Sequence, residues 1–180
     1  MTQRSRMKVA SLPSNYRPIS NLNNISKVLE RLFLNRVQSS VVSSPNFNQF
    51  QSAYRPRHST ETSLLATLDS IFHSSDSGKS TLLVSLDLSA AFDSIDHVIL
   101  LRRLKTSFGF DGLVYNWIES YLTGRSQTVH IGNNSSALTY LSTGVPQGSV
   151  LGPLLFSIYT SPIAAIASSF SIPQQQYAAR

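Results

Sequence analysis

The 180-residue sequence predicts an α+β fold, and three observations predict it. Apolar residues recur at helical spacing in several separate stretches. The short, nearly continuous apolar run Thr81–Leu86 reads as a buried strand. Two further strand-like segments flank a Gly-Asn-Asn turn as in a hairpin. At this length the chain can build one domain with a real core, or two small subdomains that share one.

Taken in order, residues 1–18 are polar and punctuated by Pro13 and Pro18, so they read as irregular. From Ile25, the residues Val28, Leu29, Leu32, Phe33 and Val37 fall at helical spacing, with Lys27, Arg31 and Arg36 away from that stripe. Residues 39–58, rich in Ser, Asn, Gln and Pro, read as loop. A second helix starts from a Ser59 or Thr60 cap, with Glu61 in its first turn and Leu64, Leu65, Leu68, Ile71 and Phe72 on one face. Ser74–Ser80 is a turn into the Thr81–Leu86 strand, which ends at Asp87. Asp96 can cap a helix through about Lys105, ended by Gly109. Asp111 can cap the next, with Leu113, Trp117 and Tyr121 on one face and Gly124 beyond its end. Gln127–Ile131 and Ala137–Leu141 form the hairpin, joined through Gly132, Asn133 and Asn134. Gly148 opens a last helical stretch, with Pro153 near its first turn and Pro162 interrupting it, and Ser171–Ala178 reads as a strand.

Composition narrows the class. The absence of cysteine excludes a disulfide-stapled secreted module, and 8 Gly with 8 Pro exclude a collagenous repeat. Arg4, Arg6 and Lys8 are not followed by the apolar core of a signal peptide. No apolar run approaches the ~20 residues of a membrane span. The expectation is an intracellular chain, in the nucleus or cytoplasm, neither secreted nor bound to membrane. The net charge of +6 is unevenly distributed. Residues 1–60 hold nine Lys or Arg against the single acid Glu30, whereas residues 61–180 hold six against eight acids. That asymmetry points to a first half that meets a polyanion and a second half whose carboxylates have other work.

Three of those acids, Asp87, Asp93 and Asp96, lie within ten residues. A carboxylate directly after a buried strand is costly unless it is solvated, capping or paired with a cation. Asp87 can hold Mg²⁺, a hard, oxygen-seeking ion that serves phosphoryl chemistry, or it can simply turn the chain. Asp96 is more simply a helix cap, and spacing leaves Asp93 open. Ser77-Gly-Lys-Ser80 mimics the tail of a phosphate-binding loop, but the leading Gly is replaced by His73 and the turn precedes a strand. The four histidines show no metal-ligand spacing, and the two glycosylation sequons at Asn133 and Asn134 mean little without a secretory signal.

Five segments in order carry a more specific signal: Asn15-Tyr-Arg-Pro-Ile-Ser20, Ser26-Lys-Val-Leu-Glu-Arg-Leu32, Gln51-Ser-Ala-Tyr-Arg-Pro-Arg-His-Ser-Thr60, Leu86-Asp-Leu-Ser-Ala-Ala-Phe-Asp93 and Val145-Pro-Gln-Gly-Ser-Val-Leu-Gly-Pro153. Together they resemble the reverse transcriptase of non-LTR (LINE-type) retrotransposons, over residues 14–178. The resemblance implies a right-hand polymerase fold. Residues 1–75 would be a basic, fingers-like part, and residues 76–180 a partial palm with the hairpin 126–141 and no thumb. It implies RNA-directed DNA synthesis, with primer 3′-OH attack on a dNTP. The implied partners are an RNA template, a DNA primer and the dNTP, and the implied cofactor is Mg²⁺ or Mn²⁺.

Residue by residue, the resemblance makes Asp87 the palm aspartate that binds the catalytic metals. Phe92 becomes the gate that excludes a ribose 2′-OH, and Gln147 and Gly148 the loop against incoming nucleotide and template. Arg55, with Lys27, meets the triphosphate, and Arg17, Arg31 and Arg57 contact nucleic-acid backbone. One departure stands out. The family's aromatic-Ala-Asp-Asp box begins on cue at Gln176-Tyr-Ala178, but Ala179 and Arg180 follow, and no acid occurs after Glu119. The second carboxylate pair is therefore missing, and the expectation is weak Mg²⁺ binding and polymerase activity near background. A catalytically dead module that binds RNA or an RNA–DNA hybrid, or a retrotransposon relic, is the alternative.

Overall fold

The computed structural model describes residues 20, 22–88 and 90–177. Its element order is α1 (Asn24–Val42), α2 (Thr60–Asp76), α3 (His97–Phe108), α4 (Gly112–Leu122), four two-residue strands, α5 (Gly152–Thr160) and α6 (Ile163–Ser169). The strands are β1 (Ser126–Gln127), β2 (His130–Ile131), β3 (Asn134–Ser135) and β4 (Thr139–Tyr140). No helix among the described residues is long and apolar enough to cross a membrane.

Local chemistry explains most of the helix ends. The Asn23 side chain accepts from the Ile25 amide at the start of α1. Ser59 and Thr62 exchange side-chain and backbone bonds in a capping box at α2. Asp96 accepts from the Ile99 amide at 2.8 Å, as the sequence predicts, and Gly109 ends α3 in the left-handed region. Asp111 occupies the corresponding place before α4 but makes no side-chain cap there. Two helices outrun expectation: α1 continues to Val42 and α2 to Asp76, into segments whose Ser-rich composition reads as loop. The last helical stretch begins at Gly152 rather than Gly148, and Pro162 separates α5 from α6.

The core is helical. Leu100 and Leu104 of α3, Ile118 and Leu122 of α4, and Leu155 and Ile158 of α5 are fully buried against Val41 of α1 and Ile95. Each such side chain contributes about 1.5–3 kcal/mol through burial. The hairpin is antiparallel as predicted, pairing Ser126 with Tyr140 and His130 with Ser135, but its return strand starts at Asn134, expected in the turn, instead of Ala137. Between the two pairs the register slips by one residue, because the returning strand carries one more residue than the outgoing strand. Gly132 sits at φ 58 in the two-residue turn, where an L side chain would be strained.

Two expectations fail. The run Thr81–Leu86 is not a buried strand: residues 80–88 form no regular element, make no ladder among the described residues and are exposed, with Leu82 at 87% and Leu86 at 88%. Its apolar run reads as a sheet interior, but a strand buries its side chains only with neighbouring strands, and none pairs with it among the described residues. The Ser171–Ala178 strand is likewise reduced, over its described residues, to a single parallel bridge between Gln176 and Gln51.

The α1 stripe is also rotated from its expected setting. Glu30, Val37 and Val41 face inward with Phe33, while Ile25, Val28, Leu29 and Leu32 are exposed. The cause is α4. Phe33 stacks on Trp117 at 4.2 Å, and Trp117 stacks in turn on Tyr121 at 5.7 Å. On α2, Leu64, Leu65, Leu68 and Phe72 are exposed although they share the predicted face.

Candidate active site

The frame of the site is a short backbone zipper between two segments far apart in sequence. The Val145 amide donates to the Phe92 carbonyl at 3.0 Å, Gly144 to Ile95 at 2.7 Å, and His97 to Ser142 at 3.2 Å. The His97 ring adds a bond from Nε2 to the Gly144 carbonyl at 2.7 Å. Contact is closest at Gly144, where a Cβ would stand 3.3 Å from Asp93 Cα and the φ of +86 already excludes an L side chain. The zipper fixes where the loop Pro146–Leu151 leaves the core.

Several predicted residues converge here. Phe92 is half-buried, edge-on to Phe156 at 5.6 Å and tilted against Tyr54 at 6.3 Å. Tyr54 adopts φ 58, so the 54–57 loop turns sharply next to Phe92. The neighbouring Arg55 is held by one bond from Nη1 to the Gln49 carbonyl at 2.7 Å. A guanidinium has five donors, so most of its hydrogen-bonding capacity faces outward for an anion. Gln147 is half-buried, and its carbonyl accepts from the Ser20 amide at 3.2 Å. Gly148 takes φ +99 with open space where a Cβ would project.

Other predicted residues stand apart. Asp87 lies on the exposed 80–88 segment and makes no hydrogen bond or ion pair among the described residues. The nearby acids do not supply a metal cluster: Asp96 is used as the α3 cap and Asp93 is exposed. No group of three His, Asp or Glu residues gathers anywhere among the described residues. Lys27 and Arg31 are exposed on α1. Arg57 is exposed and lines a cavity of about 300 Å³ with His58, Thr62 and Gln175. Arg17 lies outside the described residues.

Sequence reasoning passed over the group that ties this loop to the rest of the molecule. Glu30, 1% exposed, accepts through Oε2 from the Ser149 hydroxyl at 2.8 Å, the Val150 amide at 2.6 Å and the Leu151 amide at 3.2 Å. Ser149 gives its only hydroxyl proton to Glu30, so the 2.7 Å bond with Tyr121 has the tyrosine as donor. Burial pushes the Tyr121 phenol up to about 12. The available signal was position: the one acid of the first 60 residues falls in step with Phe33, Val37 and Val41.

Comparison with known proteins gives the family of the chain. The family "Reverse transcriptase (RNA-dependent DNA polymerase)" matches residues 6–178. The chain is 34% identical over 151 residues to a probable RNA-directed DNA polymerase from transposon BS of Drosophila melanogaster, covering 84% of this chain and 16% of that protein. It is 34% identical over 146 residues to the RNA-directed DNA polymerase from mobile element jockey of Drosophila funebris, covering 81% of this chain and 16% of the relative. A Pol polyprotein from the type-1 element R2 of Popillia japonica is 36% identical over 81 residues, which are 45% of this chain and 13% of the relative. The chain thus spans about one sixth of the length of these curated relatives. On this match, which runs through all five sequence segments, the chain belongs to the reverse transcriptase family as a domain of the non-LTR retrotransposon type.

Proposed function

We propose that this domain forms the nucleotide-facing part of an RNA-templated polymerase site, with residues 1–75 as the basic fingers-like part and residues 76–180 as a partial palm. Phe92 is the gate against a ribose 2′-OH, and Gln147 and Gly148 form the loop under the incoming base. Arg55 meets the triphosphate with Lys27 at its margin, and Arg17, Arg31 and Arg57 grip template and primer backbones. The observation that carries this reading is the zipper of Phe92–His97 against Ser142–Val145, which sets Phe92, the 146–151 loop and the Tyr54–Arg55 turn around one place.

Asp87 offers a free, exposed carboxylate, a donor suited to Mg²⁺ or Mn²⁺, and one carboxylate can share an ion with nucleotide phosphates. Such an ion would neutralise phosphate charge. No group of three His, Asp or Glu side chains gathers among the described residues, so an ion at Asp87 would rest mainly on the phosphates of the nucleotide. The reading therefore separates recognition from turnover: binding of hybrid and nucleotide is retained, and chemistry is not.

The test is fluorescence anisotropy on an RNA template annealed to a DNA primer, with and without the complementary dNTP and Mg²⁺, alongside a primer-extension assay. Hybrid affinity that survives Asp87→Asn is expected, together with nucleotide affinity that falls about tenfold in Asp87→Asn and in Arg55→Ala. Extension is expected near background. Robust extension that depends on Asp87 would overturn the separation. Hybrid affinity that collapses on Arg55→Ala, with no response to nucleotide, would favour a pure nucleic-acid-binding module. Ala179 and Arg180, which stand where the resemblance puts two aspartates, are the observation behind that second reading.

A further inference from the structure

We propose that Glu30 is the positioning residue of the Pro146–Leu151 loop, so that α1, from the basic half of the chain, sets the backbone on which Gln147 and Gly148 are presented. The inference rests on the reading of that loop as nucleotide-facing and adds the device that holds it. The geometry is unusual for a carboxylate. Glu30 is buried, its Oε2 gathers one hydroxyl and two amides from three consecutive residues, and its Oε1 has no partner. No Lys or Arg pairs with it among the described residues; the compensation comes from N–H and O–H dipoles at the entrance to α5.

Three features make this a loop clamp instead of a generic core contact. First, the bonds fall on Ser149, Val150 and Leu151, immediately after Gln147 and Gly148, and Gly148 at φ +99 has no Cβ packing to hold it in place. Second, Ser149 relays the constraint: its Oγ accepts from the Gly152 amide at 3.1 Å and from the Tyr121 hydroxyl, so α1, α4 and α5 converge on one side chain. Third, the same turn of α1 carries Phe33, whose stack on Trp117 fixes the height of Glu30 along α4. A displacement of α1 is thereby transmitted to the loop through hydrogen bonds.

Amide hydrogen exchange on the full 180-residue chain reads the clamp directly, with Leu100 and Leu104 of α3 reporting the global fold. In Glu30→Ala, the Val150 and Leu151 amides should exchange at least tenfold faster while the α3 amides keep their wild-type rates. Glu30→Gln retains an acceptor oxygen without the charge and should fall between the two. If Glu30→Ala does not fold, Glu30→Gln and Ser149→Ala carry the comparison. Affinity for a dNTP on template–primer should drop in step with the loss of loop protection, with hybrid affinity unchanged. Unaltered exchange at Val150 and Leu151, or acceleration equal to that of α3, would overturn the proposal. A wild-type chain with no nucleotide affinity would overturn the reading of the loop as nucleotide-facing, and the exchange rates would still decide the role of Glu30.

Discussion

His97 donates through Nε2 to the carbonyl of Gly144 across 2.7 Å, and the ring that does so is only 4% exposed. This one bond closes the zipper on the side of the candidate site and fixes the tautomer of the imidazole, because a carbonyl accepts only from a protonated nitrogen. Removing the ring leaves the Gly144 carbonyl without that donor and opens space beside Val145. His97→Ala should therefore lower stability by about 1–3 kcal/mol. His130→Ala, on the exposed hairpin, should stay within about 0.5 kcal/mol of wild type. Urea denaturation followed by circular dichroism checks both, and equal midpoints for the two variants would contradict the assigned role.

Tyr121 links stability to alkaline pH. Burial raises its phenol to about 12, above the usual 10 of an unfolded chain, so folding favours the protonated form. Its contribution is fully present below pH 10 and is lost as the pH rises through about 12. A difference of this size corresponds to about 2–3 kcal/mol across that window. Tyr121→Phe should sacrifice about 1 kcal/mol at pH 8 with the hydrogen bond to Ser149, and then lose less than wild type between pH 10 and 12. Urea midpoints of both proteins at pH 8, 10 and 11.5 test the crossing, and parallel pH profiles would refute it.

Much of the local structure was legible in the sequence, and the reasons for the rest are physical. Caps at Asn23, Ser59 and Asp96 and the left-handed Gly109 are local chemistry, readable from a few neighbouring residues. Phe92, Arg55, Gln147 and Gly148 stood out through ordered motifs, and the fold brings Phe92 against Val145 and Tyr54, near neighbours of the other three in the chain. Glu30 escaped notice because its partners are about 120 residues away, and a lone acid in a basic half resembles a solvated charge. The Thr81–Leu86 strand failed for the opposite reason. Its propensity is real, but a strand is a property of its neighbours, and apolar residues without a facing ladder remain exposed. The outward apolar faces of α1 and α2 repeat that lesson at helical period.

The exposed segment 80–88 has a consequence in solution. Thr81–Leu86 is uncharged, mostly apolar and free of Pro and Gly, and it has no ladder partner among the described residues. The chain should associate with itself at micromolar concentration through this segment. Replacing Leu82 and Leu86 together by Lys should raise the monomeric fraction at least several-fold, because charge on an open edge opposes pairing. Light scattering coupled to size-exclusion chromatography measures it, and an unchanged mass distribution would locate the association elsewhere, with the α1 and α2 faces next in line.

Basic charge in the first half predicts how nucleic-acid binding responds to salt. Arg31 on α1 and Arg57 beside α2 are exposed, and neither makes an ion pair among the described residues, so each is free to displace a counterion from a phosphate. Binding through phosphates weakens as salt rises, with a log–log slope of about −0.9 per contact on a duplex and about −0.7 on a single strand. Arg31→Ala and Arg57→Ala should each weaken binding to an RNA–DNA hybrid at 50 mM salt and make the slope shallower by about 1, whatever the base sequence. Arg36→Ala, on the same helix, should leave the slope unchanged if contact is confined to the assigned residues. A uniform shallowing for all three would mean that the basic half acts as a diffuse field, and no change for any of them would move the nucleic-acid surface away from α1 and the 54–62 segment.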